Sequence, residues 1–168
     1  MLCVIAKLPP EATHRLSDIK DAAAALCNRA PSTLYGHITI AACTSENEDT
    51  FIDVCSDTIC QFRSFIVRYE KIEVLPQTSI IVALPAKYGE LLSLHDAISE
   101  QFGDVLDCWT RGGNWQPHTT LLYDPYADLP SICRQVQCRF TPFETIIQRI
   151  EFSRVNASGY SIVQGIDL

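Results

Sequence analysis

The sequence predicts an α+β domain made of two similar halves, and three observations carry that reading. Strand-like and helical periodicities alternate along the chain, then the order begins again near residue 79. Two sharp returns, at Pro76-Gln77 and at Asn156-Ala157-Ser158-Gly159, separate strand-like segments that read as hairpins. A shift of 76 residues lays Leu8-Pro9 on Leu84-Pro85 and the apolar Val4-Ile5-Ala6 on Ile80-Ile81-Val82.

Each element follows from its local pattern. Residues 2–8 are apolar and stopped by Pro9-Pro10, which reads as a buried strand. Over 11–29, Leu16, Ile19, Ala23 and Leu26 recur at helical spacing before residues 28–31 end the helix. A strand is expected over 34–43. A second helix is expected over 46–62, with acidic residues at its start, where the helix dipole favours them. Residues 65–75 and 79–84 read as a strand pair. The second half then repeats the scheme with a helix over 87–102, a strand over 118–123, a helix over 130–139, and strands over 143–155 and 160–166.

With 168 residues, 47% of them hydrophobic, the chain suffices for one domain, 1–168, with a sizeable core; its two lobes are expected roughly at 1–78 and 79–168. Twenty acidic residues against 13 basic ones give a net charge of -7, which repels a long phosphodiester backbone. No long nucleic-acid tract is expected as a partner. No apolar run approaches the roughly 20 residues of a membrane span, and residues 2–6 lack a basic leader, so a cytoplasmic monomer with no membrane partner is the expectation. The eight cysteines are spread through apolar segments and read mainly as reduced, buried side chains. The pairs Cys55/Cys60 and Cys133/Cys138 lie five residues apart, about 140° around a helix, which is poor geometry for a shared metal.

The chemistry concentrates in two tetrads, His37-Ile38-Thr39-Ile40 and His118-Thr119-Thr120-Leu121. In a strand, each places a histidine and a threonine on one face and the intervening residues on the other. If a pseudo-twofold relates the halves, two imidazoles and two hydroxyls face each other across one groove. Opening a phosphodiester requires one proton removed from the nucleophile and another delivered to the leaving oxygen, and histidine suits both tasks near neutral pH. Threonine hydroxyls can donate to the non-bridging oxygens as charge builds there. Satisfied structural histidines are the competing reading for the same residues. His14 and His95 lack the tetrad, fall in helices and read as ordinary surface or boundary residues.

Around the second tetrad, Trp115 is a candidate for stacking a base or for packing the lobes together, and Arg111 for meeting a phosphate or for a plain surface charge. Tyr35 shares the face of His37 by strand parity and lines the groove or packs in the core; Tyr123 has the same two readings.

The paired tetrads, the second set in Trp115-Gln116-Pro117-His118-Thr119-Thr120-Leu121, resemble the signature of the two-histidine (2H) phosphoesterase superfamily, with its bacterial 2′-5′ RNA ligase-like proteins and cyclic phosphodiesterases. The resemblance covers the whole chain. It implies a bilobal, pseudo-twofold α+β fold: two antiparallel-rich sheets with flanking helices, a central groove, and both motifs on central strands. It also implies metal-independent hydrolysis of 2′,3′-cyclic or related phosphodiesters on small nucleotides or RNA ends, with His37 and His118 catalytic, Thr39 and Thr120 holding phosphate, and no cofactor. Two positions depart from the family pattern: Gly36 replaces a proline that often precedes the first histidine, and Tyr123 stands where many ligase-like members carry a basic residue. The alternatives are a 2′-5′ RNA ligase or 2′-5′ phosphodiesterase, and a nucleotide-binding module without turnover.

Neither tetrad offers three metal ligands, so dialysis against EDTA should leave turnover of a cyclic phosphate unchanged. Activity abolished by EDTA and restored by zinc or manganese would replace the two-histidine mechanism with a metal-dependent one.

Overall fold

Pro10, whose fixed φ suits the first turn of a helix, opens α1 (Pro10–Leu26) directly after strand β1 (Leu2–Lys7). The computed structural model describes residues 1–30, 36–44, 47–156 and 159–168. The chain continues through β2 (His37–Cys43), α2 (Glu48–Ile59), β3 (Phe65–Val74), β4 (Ile80–Pro85), α3 (Gly89–Phe102), β5 (Thr119–Tyr123), α4 (Leu129–Gln137), β6 (Phe143–Ile147), β7 (Arg149–Asn156) and β8 (Gly159–Asp167). Side-chain caps start two of the helices: Asn47 Oδ1 accepts from Thr50 N at 3.4 Å, and Asp128 Oδ1 from Ser131 N at 3.2 Å. The expected strand and helix starts at 34–35 and 46, and the centre of the last turn at 157–158, lie outside the described residues.

Two four-stranded antiparallel sheets form, in the orders β2-β1-β7-β8 and β5-β4-β3-β6, with helices flanking them. The orders correspond place for place: β1 and β4 hold the second position, and the tetrad strands β2 and β5 hold an edge. That corrects the expectation of central strands; the two tetrads lie on sheet edges that abut each other. The chain also exchanges strands across residue 78. β3 pairs in the second sheet with β4 and β6, while β7 and β8 return to pair beside β1.

That return explains a second correction. Residues 143–155 read as one strand, but the run breaks at Gln148 into β6, paired with β3, and β7, paired with β1. Apolar residues on both sides of the break, Phe143 and Ile147, then Ile150 and Phe152, are buried in the same core cluster, so hydrophobicity gives no mark of the change of sheet. The β3–β4 pair expected from the sequence forms, as does the closing β7–β8 hairpin.

Apolar faces of both sheets and all four helices share a core in which Val4, Ile38, Ile40, Tyr69, Leu94, Ile98, Ile147 and Phe152 are fully buried. The eight cysteines form no disulfide; Cys55 and Cys133 are buried while Cys60 and Cys138 are exposed, as their angular separation demands. No helix among the described residues is long and apolar enough to cross a membrane.

Candidate active site

The tetrad strands show the expected alternation. Ile38 and Ile40 are fully buried while His37 and Thr39 are half-buried; in β5, Thr119 and Leu121 are buried while Thr120 is exposed. Each strand also carries a β-bulge at the same place. Val4 pairs Ala41 and Ile5 pairs Thr39, leaving Ile40 over; Ile81 pairs Leu122 and Val82 pairs Thr120, leaving Leu121 over. The extra residue is the fourth of each tetrad, so the two threonines sit beside equivalent bulges.

The outer edge of β2 would leave a row of backbone groups without a ladder, and the second half of the chain satisfies them. Thr119 Oγ1 donates to His37 O at 2.9 Å and lies 2.6 Å from Tyr69 Oη, which is fully buried. Trp115 Nε1 donates to Thr39 O at 2.9 Å, and His95 Nδ1 lies 2.9 Å from Ile40 O. Farther along, Ala42 N donates to Thr110 Oγ1 at 3.0 Å and Asp107 N to Ala42 O at 2.7 Å. The strand of the first tetrad is therefore stitched to the segment that leads into the second.

His118 immediately precedes β5. Its Nδ1 lies 2.8 Å from Gln116 O, and since a carbonyl only accepts, Nδ1 carries the proton and Nε2 holds the lone pair of the neutral ring. Burial holds the His118 pKa below the ordinary histidine value, partly offset by that carbonyl.

One cavity of about 280 Å³ opens between α1 and β5, lined by Gly36, His37, Thr120 and Tyr123 with Lys20 and Arg29 opposite. It brings together His37 of the first tetrad and Thr119, Thr120 and Leu121 of the second, while Thr39 and His118 are not among its lining residues. At Gly36 a Cβ would lie 2.8 Å from Leu8 Cδ1, so a side chain there would require Leu8 to shift.

The peripheral candidates separate. Tyr123 is 63% exposed and lines the cavity. Trp115 is 2% exposed with its ring stacked 3.9 Å from that of His95, which makes it the lobe-packing residue rather than a face for a base. Arg111 donates through Nη2 to Asp104 O at 2.7 Å and Leu106 O at 3.0 Å, so its guanidinium secures the 104–106 turn. Tyr35 lies outside the described residues. His14 is exposed as expected, but His95 is 1% exposed, a correction to its reading as a surface or boundary residue. Sequence reasoning also missed Thr119, Lys20 and Arg29. Only Lys20 left a signal, its seven-residue spacing from Thr13 on one face of α1.

A family model for the 2′-5′ RNA ligase superfamily matches residues 8–159. Among solved structures, a Thermus thermophilus protein superposes with a TM-score of 0.69 at 16% identity, covering 99% of this chain and 97% of its own. The apo form of Escherichia coli LigT superposes at 0.65 with 16% identity, covering 99% and 96%. The E. coli protein has also been crystallised with phosphate, with ATP and with 3′-AMP. No curated protein sequence matches the chain with significance.

Thr119→Val keeps the side-chain shape but strands a buried tyrosine hydroxyl and the His37 carbonyl, and should lower stability by about 1–3 kcal/mol in urea unfolding, with Thr119→Ser close to wild type.

Proposed function

We propose that this chain, which belongs to the 2′-5′ RNA ligase superfamily, hydrolyses 2′,3′-cyclic or closely related phosphodiesters on small nucleotides or RNA ends by two-histidine acid–base catalysis. Membership implies phosphodiesterase-type chemistry, and among the described residues no group of three or more His, Cys, Asp or Glu is arranged to hold a metal ion. The observation that carries the finer reading is the cavity that His37 of the first tetrad shares with Thr119, Thr120 and Leu121 of the second, on the strand that His118 immediately precedes.

In this mechanism His118 is the base. Its Nδ1 proton is committed to Gln116 O and its pKa is held low, so the ring is neutral near pH 7 with Nε2 open to accept a proton. A water loses its proton to His118 as its oxygen bonds to phosphorus. The bond from phosphorus to one ribose oxygen breaks, and His37 delivers the proton that oxygen needs. Thr39 and Thr120 hydroxyls donate to the two non-bridging oxygens, where charge gathers. The product is a phosphomonoester, and proton exchange with solvent resets both rings. Tyr123, at the exposed end of the cavity, contacts the nucleoside.

The family description itself favours a second reading, cleavage or joining of 2′-5′ RNA linkages. Incubation with 2′,3′-cyclic nucleotides and 2′-5′ dinucleotides in parallel, with the products read by phosphorus NMR, separates the two.

His37→Ala and His118→Ala should each reduce turnover by about 10²- to 10⁴-fold with circular dichroism unchanged. Near wild-type rates in either folded variant would remove the two-histidine mechanism. The pH profile tests the assignment of roles. Because the base must be neutral and its pKa is lowered, kcat/KM should stay on its plateau as pH falls to the ordinary histidine value of 6.5 and decline only below it. A decline centred above that value would move the base role to His37.

A further inference from the structure

The wall of the cavity opposite His37 is built by α1, whose inward face would ordinarily be apolar. Ala12, Leu16, Ile19 and Ala23 meet that expectation and are buried. Beside them runs a polar stripe, Thr13, Ser17 and Lys20, at the i, i+4, i+7 spacing of a single helix face. All three are half-buried, and all three line the cavity with Arg29.

The wall is cationic in an acidic chain. The chain carries a net charge of -7, yet the described residues lining the cavity include two cations and no carboxylate. Arg29 is held by Asp124, whose Oδ2 lies 2.7 Å from Arg29 Nε and whose side chain is 6% exposed, so the ion pair restrains the guanidinium. Burial lowers the Lys20 pKa and the neighbouring Asp21 carboxylate raises it. The position that carries a basic residue in many relatives is here Tyr123, so α1 and the residues just after it supply the cationic side.

We infer that Thr13, Ser17, Lys20 and Arg29 form a second anion subsite, which holds a phosphate of the substrate other than the one being opened. The ligand class is a nucleotide with two phosphate groups a ribose apart: the cyclic phosphate against His37 and Thr120, and a 5′-phosphate against α1. Lys20 supplies a point charge, Arg29 a guanidinium edge, and the two hydroxyls donate to the remaining phosphate oxygens. A volume of about 280 Å³ suits one small ligand, at the low end of ligand pockets, and not an oligonucleotide.

The inference rests on the cyclic phosphodiesterase reading, and its test separates the two. A 2′,3′-cyclic nucleotide is assayed with and without a 5′-phosphate, and the ratio of the two kcat/KM values is the readout. Wild type should prefer the 5′-phosphorylated form by about 10- to 100-fold, the range for one or two charge-assisted hydrogen bonds. Lys20→Met should collapse the ratio towards one, and Lys20→Arg should preserve most of it. Equal efficiencies in wild type, or a preference that survives Lys20→Met, overturn the subsite. If neither compound is turned over, the catalytic reading fails on its own, and calorimetric titration with ADP still decides the subsite: binding at least tenfold weaker in Lys20→Met supports it, and equal binding overturns it.

Discussion

The outer edge of β2 is the constraint on which the site depends. A sheet edge exposes unpaired backbone groups, and here that edge carries the first catalytic candidate. The chain does not pair it with another strand. It covers it with side chains and loop backbone from residues 95–119, through Thr119 to His37 O, Trp115 to Thr39 O, His95 to Ile40 O, and Thr110 and Asp107 to Ala42. These bonds span 55 to 82 residues of sequence where side chains make them across the tetrads. Because the same segment carries His118 and Thr119, satisfying the edge also fixes one motif against the other.

This arrangement explains which parts of the structure were legible in the sequence. Alternation within each tetrad is a local property, so the faces of His37, Thr39, Thr119 and Thr120 could be read without knowing the fold. The pairing of the tetrads was legible through their repetition. The stitches were not, because a threonine between two motif residues and a histidine in a helix have no periodicity that separates them from surface positions. His95 reads as a helical boundary residue until α3 packs beside β2 and puts its imidazole against Ile40 O and the Trp115 ring. The break at Gln148 was hidden for a similar reason: β6 and β7 bury their apolar residues in one continuous core, so the pattern runs on through the change of sheet.

The two halves share a bulge and a tetrad but not an environment, and the difference is chemically useful. His37 is the first residue of a strand, whereas His118 sits one residue before a strand, with its Nδ1 turned back onto the carbonyl of Gln116. An acid–base pair must hold opposite protonation states at the start of the reaction, which two identical settings would not favour. The repeated tetrad supplies one imidazole at the cavity wall, His37, and a second, His118, at the head of the strand that lines it, and the different flanking segment biases His118 towards the neutral form. The short Gly112–Asn114 turn and Pro117 belong to that divergent flank, as does the Trp115 anchor.

Electrostatics narrow the substrate further. A protein of net charge -7 gains nothing from long-range attraction of a polyanion, so affinity for phosphate has to arise locally, within about a Debye length of the site. The cavity meets that requirement by gathering Lys20 and Arg29 where no carboxylate lines the described wall, the Asp124 partner of Arg29 not being among the lining residues. Such a field favours a small ligand that enters fully over a long strand whose remaining phosphates would lie against an acidic surface. The same balance limits how much a basic residue at the position of Tyr123 would add, because a cation at the exposed mouth would be screened by solvent, as exposed Arg29 is, while Lys20 acts from a half-buried position on α1.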